Sequence, residues 1–214
     1  MARRMREVAF RAEQEQGRYA PHARPINELV DRLREPEGRG WMPHIAPWHG
    51  GAEARVLSIL RDPGPRTLEG TGSGFLCVEN DDPTAEFQAK TFEQAGIAPH
   101  DVTPWNAYPW YINRSPNAAE LQAGAEVLKQ LLALMPKTEV MFLQGNEAQS
   151  VWRRLLRAHP DAVRHRTLKV VSTYHPGQQA LFVRDPDERA RRAQHRIDSA
   201  REVGAVLGKR TGRP

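Results

Sequence analysis

The chain has 214 residues, 39% apolar and 27% charged, with 31 Lys and Arg against 26 Asp and Glu for a net charge of +5. This suits one soluble globular domain with extensions, and the basic balance fits a polyanionic partner such as nucleic acid, although many of the arginines lie at the two ends, where they equally serve to solvate helices. No stretch approaches a membrane span, and the single cysteine, Cys77, excludes an internal disulfide framework, a cysteine-held iron–sulfur cluster and a Cys-rich zinc site.

Arg3, Arg4 and Arg6 are followed by no apolar stretch long enough for a secretory signal, so cytoplasmic localisation is expected. Residues 1–35 read as a helical, Arg/Glu-rich lead-in interrupted by Pro21 and Pro25, with Ile26, Leu29, Val30 and Leu33 at helical spacing. Residues 36–53 read as a Gly/Pro-rich loop holding Trp41, His44, Trp48 and His49. A strand follows over 55–60, then the Gly-rich 70–74 segment leading into Phe75-Leu76-Cys77-Val78. A helix over 83–96 precedes a strand at 102–106, and 117–135 is amphipathic, with Leu121, Val127, Leu128, Leu131 and Leu132 on one side. The strand Val140–Leu143 runs through Gln144-Gly145-Asn146 into a helix over 147–158, and another strand covers 168–173. Asp185 as N-cap and Pro186 at the first helical position open a last helix to about 207, ended by Gly208, with a disordered basic tail beyond. Strands alternating with helices predict an α/β fold with a parallel or mostly parallel sheet.

The chemistry concentrates at two strand ends. Asp62 closes the 55–60 strand and is followed at once by Pro63 and Gly64; Tyr174-His175-Pro176-Gly177 follows the 168–173 strand. Ligands of open α/β sheets sit outside such carboxyl ends, so an acid and a histidine on two of these loops can face one pocket. Asp62 alone is either a general base or charge stabiliser, or a turn-forming Asp, and for the tripeptide alone the turn reading is the stronger. His175 is either an acid, a hydrogen-bond donor or a ligand, or a structural histidine satisfied at a turn. His44 and His49 lack a nearby Cys or acidic ligand at zinc-site spacing. The 70–74 glycines lack the ending of a phosphate-binding P-loop and read as a flexible loop whose amides can still touch a DNA phosphate. In Trp105-Asn106-Ala107-Tyr108-Pro109-Trp110-Tyr111, Asn106 presents a donor and an acceptor that suit a pyrimidine edge, while a packed aromatic corner explains the segment equally well.

In order and spacing, Leu60-Arg61-Asp62-Pro63-Gly64, Gly74-Phe75-Leu76-Cys77-Val78, Trp105-Asn106, Phe142–Gln149 and His175-Pro176 resemble the motif set of the uracil-DNA glycosylase superfamily, over roughly residues 45–205. The resemblance implies one domain over 1–214, a three-layer α/β/α sandwich with a central, mostly parallel four-stranded sheet, carrying a helical N-terminal extension to about 35 and a basic tail from about 208. It implies flipping of uracil out of DNA and hydrolysis of its N-glycosidic bond, leaving an abasic site. The catalytic residues would be Asp62 and His175, with Arg61, Phe75 and Asn106 at the base and Gly145, Asn146, Gln178, Gln179 and Leu181 at the DNA. No metal and no cofactor is implied. The partner would be uracil-containing DNA, with no membrane and no obligatory protein partner, for a monomer that is nucleoid-associated in a bacterium. Two departures stand out: Gly64 replaces the Tyr that blocks the thymine methyl in the best-known branch, and Gln179 occupies the place of that branch's Leu wedge, with Leu181 or Phe182 as apolar substitutes nearby. The alternatives are a same-fold glycosylase for hypoxanthine, xanthine or mismatched thymine, and a non-catalytic DNA-binding module.

Overall fold

Val56–Leu60 forms β2, the strand about which the main sheet is built. The structure is a computed structural model and describes residues 2–34 and 38–211. On one side of β2 lies β4 (Val102–Asn106); on the other lie β5 (Val140–Gln144) and then β6 (Lys169–Thr173), giving the order β4-β2-β5-β6 with every pair parallel. β4 and β5 are buried throughout, as strands covered on both faces must be, and β6 at the edge is largely exposed. Two short strands pair in parallel: β1 (His44–Ile45), within the segment read from the sequence as a loop, and β3 (Phe75–Leu76), in the apolar segment that follows the Gly-rich stretch.

Alternation along the strands divides the core. Leu57, Ile59, Trp105, Met141 and Leu143 pack against α2 (Arg24–Leu33), α4 (Ala118–Leu134) and α5 (Asn146–Ala158). Val56, Val102, Val140, Phe142 and Val171 pack against α3 (Pro83–Gln94) and α6 (Pro186–Thr211). The result is the three-layer α/β/α sandwich, with α1 (Val8–Gln16) outside it. Each of these buried aliphatic side chains contributes roughly 1.5–3 kcal/mol.

Local chemistry sets the helix starts. Asp82 Oδ1 accepts from the Thr84 and Ala85 amides at 2.8 and 2.9 Å, with Pro83 in the first turn of α3. Asn117 and Glu120 form a capping box on α4, and Asp185 Oδ1 accepts the Asp187 amide at 2.9 Å ahead of α6. Pro25 begins α2 rather than interrupting it, because a first-turn residue has no intrahelical bond to lose. Gly208 does not end the last helix: α6 runs on to Thr211, since one interior glycine costs only about 1 kcal/mol. The expected disordered tail is therefore helical over 208–211, and its remainder, like Met1 and residues 35–37 of the lead-in and following loop, lies outside the described residues. Among the described residues no helix is long and apolar enough to cross a membrane.

Candidate active site

The carboxyl edge of the sheet opens into a cavity of about 1140 Å³. Register brings the strand ends level: Leu60 pairs with Asn106, and Gln144 with Thr173, so the turns leaving β2, β4, β5 and β6 stand side by side at this edge. The Ala107 and Tyr108 amides donate to the Leu60 and Arg61 carbonyls at 2.8 and 3.1 Å, pinning the acid turn to the chain beyond β4. Asp62, His175, Asn106, Arg61, Gly145, Asn146, Gln178 and Gln179 all line this cavity.

The Asp62 side chain is only 3% exposed. Its Oδ1 accepts from Arg61 Nε at 2.5 Å, and its buried Oδ2 has no hydrogen-bond partner among the described residues. Burial raises the carboxyl above its ordinary range, while the Arg61 guanidinium and the nearby Arg114 and Asn113 amides work against that rise. Asn113 adopts a left-handed φ of 51°, one of two non-glycine residues to do so among those described.

His175 accepts the Gly177 amide at Nδ1, 3.0 Å away, so the neutral ring carries its proton on Nε2. Burial lowers the imidazole to about 4; the cations Arg61 and Arg196 push the same way, and Glu147 opposes them. Arg196, 5% exposed, donates from Nη1 to the Pro176 carbonyl at 2.8 Å and lies 3.4 and 3.5 Å from the carbonyls of His175 and Gly177. Its guanidinium stacks on Phe87 at 4.3 Å. Gly145 caps α5 at φ 106°, where a Cβ would stand 3.3 Å from the His175 Cβ. Its amide donates to the Thr173 carbonyl at 2.8 Å, joining the β5 and β6 turns.

Asn106 is buried, and its Oδ1 also lacks a partner among the described residues. Two further buried donors in cavity-lining residues are unpartnered in the same sense, Gln88 Nε2 and Trp105 Nε1. Unsatisfied buried polar atoms are costly and uncommon, so their gathering at one cavity marks a place shaped for a polar ligand.

Two expected positions lie outside the cavity lining. Phe75, expected to stack on the base, is 1% exposed and packs with Met5, Phe10, Ala46 and Cys77, its ring 6.4 Å from that of His44 and 5.7 Å from the Arg18 guanidinium. Leu76, Cys77 and Val78 line the cavity instead. Leu181 lies at the end of a short 3-10 turn, Gln178–Leu181, and does not line the cavity; the neighbouring Phe182 is the exposed apolar residue, at 77%.

The Gly-rich 70–74 segment is tied down, with the Gly72 and Ser73 amides donating to the Leu68 and Arg66 carbonyls at 2.8 and 3.0 Å. His44 and His49 do not act together: His44 bonds Asp31 and Arg34, whereas His49 lies between the Pro99 carbonyl and the Val78 amide. Arg196, Asn113 and Gln88 were missed in the sequence. Only Arg196 carried a signal, since it shares a helical stripe with the buried Ala200, Val203 and Leu207.

A parallel α/β fold with an acid and an imidazole facing one cavity at its carboxyl edge has the parts of a hydrolase. A family model, the uracil DNA glycosylase superfamily, matches residues 47–194, and the chain belongs to that superfamily. It is thus a glycosylase-class protein, of the hydrolases that act on N-glycosyl bonds in DNA repair. No curated protein matches the chain.

Proposed function

We propose that this chain excises uracil from DNA by hydrolysing its N-glycosidic bond. The observation that carries the reading is the convergence of Asp62, His175 and the unpartnered Asn106 Oδ1 on one cavity. A base inside a duplex is out of reach, so the nucleotide is extruded at a cost of a few kcal/mol. Asn106 Oδ1 accepts the uracil N3–H; cytosine presents a lone pair there and is refused. As the bond between sugar C1′ and base N1 breaks, its electron pair leaves with the base and the sugar becomes oxocarbenium-like. The Asp62 carboxylate stabilises that cation and takes a proton from the water that attacks C1′. His175, neutral with its proton on Nε2, donates to the uracil O2 where negative charge develops. The amino-terminal end of α5, at Gly145 and Asn146, and the Gln178–Gln179 turn hold the flanking phosphates, and the exposed Phe182 fills the space the base leaves.

Single-turnover release of uracil from an oligonucleotide, with EDTA present and alkaline cleavage of the abasic product, tests this. Asp62→Asn and His175→Ala are expected to lose orders of magnitude in rate with DNA binding largely kept; full activity in both removes these roles. Gly64 favours a second reading, release of a 5-methylated or larger base, because a Cβ there meets nothing within 4 Å. A panel of duplexes with hypoxanthine, xanthine and mismatched thymine separates the two readings.

A further inference from the structure

Arg61 is bonded to one of the two reactive groups and lines the same cavity as the other. It immediately precedes Asp62, its Nε bonds the Asp62 Oδ1 at 2.5 Å, and it lines the same cavity as His175. Its side chain is 32% exposed, so it borders both the buried carboxylate and solvent. We propose that Arg61 is a positioning residue of the site: one guanidinium holds Asp62 in its charged form and His175 in its neutral form before DNA arrives. The proposal takes its catalytic meaning from the glycosylase reading above.

The logic is that of a shared cation. A positive charge beside a carboxylate favours the ionised acid, and the same charge near an imidazole disfavours protonation of the ring. Both states are those the reaction needs, an anion to face the sugar cation and a neutral ring with a proton to offer. Burial affects the two groups differently. It favours a neutral histidine, but it also favours a neutral aspartic acid, which would be inactive. Arg61 reinforces the first tendency and opposes the second. The other groups facing Asp62 are the Asn113 and Arg114 amides and the Arg114 guanidinium, itself paired with Glu120; those facing His175 are Glu147 at the start of α5 and Arg196 on α6. Of the side chains named, only Arg61 acts on both.

The test is an NMR titration of the full-length protein without DNA, following the His175 ring and the Asp62 carboxyl. Arg61→Gln is expected to raise both midpoints, that of His175 from about 4 toward the ordinary imidazole value. Arg61→Met repeats the neutral replacement with a different side chain. Arg61→Lys, which keeps a cation, is expected to return both midpoints toward those of the parent. Glu147→Gln is expected to lower the His175 midpoint and leave Asp62 where it is. Unmoved midpoints in folded Arg61→Gln or Arg61→Met overturn the proposal. In activity, the low-pH limit of single-turnover uracil release is expected to move to higher pH in Arg61→Gln. An equal loss at every pH would make Arg61 a base-contacting residue only and also overturn it. Because the titration needs no substrate, a protein that released no uracil would sink the glycosylase reading and leave the titration result standing.

Discussion

Arg196 Nη1 donates to the Pro176 carbonyl at 2.8 Å, so the last helix holds the loop that carries His175. The bond is almost fully buried, and removing the guanidinium leaves that carbonyl without a donor. Such a loss costs about 1–3 kcal/mol. Arg196→Met, which keeps the stem, is expected to lower stability in urea by that order and to reduce single-turnover excision at least tenfold, with Arg196→Lys in between. Unaltered excision in Arg196→Met would show that the loop holds its shape unaided.

Gly64 has φ −79° and ψ 165°, a backbone that any residue adopts, and open space where a side chain would go. Gly64→Tyr is therefore expected to fold normally and to narrow the cavity. Release of 5-methyl-substituted uracil should fall at least tenfold relative to release of uracil. An unchanged ratio in competition assays would place base exclusion elsewhere.

His49 is buried and His175 is half-buried, and loss of contact with water holds both near 4 against an ordinary value of 6.5. Each is neutral in the fold, while the unfolded chain takes up a proton below about 6.5. A depressed pKa makes the contribution full above 6.5 and progressively lost as pH falls toward 4. Each histidine then removes up to about 3 kcal/mol. Urea midpoints are expected to drop steeply between pH 6.5 and 4.5, and less steeply in His49→Gln. A flat profile across that window would contradict this loss of contact with water at both rings.

Residues ahead of the family match brace the cavity wall. Arg3 bridges Glu86 at 2.6 Å and Asp81 at 3.3 Å, Arg6 reaches Asp81 at 2.6 Å, and the Arg4 amide donates to Glu79 Oε2 at 3.1 Å. The chain between these anchors includes Asp82, Pro83, Thr84 and Ala85, which line the cavity. Arg3→Ala with Arg6→Ala is expected to slow excision several-fold and barely move the unfolding midpoint, since exposed ion pairs stabilise little. Met5→Ala, which empties a core site, is expected to cost about 2–5 kcal/mol. If the arginine pair changed stability but not rate, the segment would be a fold element alone.

The main sheet was legible because β2 and β5 are nearly continuous apolar runs, the pattern of strands covered on both faces, and they alternate with amphipathic helices. The strand β1 was not, since a two-residue strand carries no periodicity to read. The cavity's Asp62, His175 and Asn106 could be picked out because each stands at a strand's end next to a turn former or an aromatic. Phe75 misled for a tertiary reason: its neighbours from the amino-terminal segment, Met5 and Phe10, decide which way the ring turns. Arg196 was hidden in a charged helix, where only its position relative to Ala200 and Val203 separates it from its solvated neighbours. Asn113 depends on a backbone angle that no residue pattern announces.

The sheet order has a consequence for synthesis. Each parallel pairing joins strands far apart along the chain, and β2 must accept β5 from some 80 residues later, by the register of Val56 with Val140. The acid therefore waits for its partners. A ribosome that has released Asp62 has made half a centre, and the His175 loop gains its Arg196 anchor only when α6 has emerged. Nascent and truncated chains lacking that helix are thus expected to lack a finished centre, so the ability to release a base from DNA arrives only after α6 has been made and the fold that positions the centre is complete.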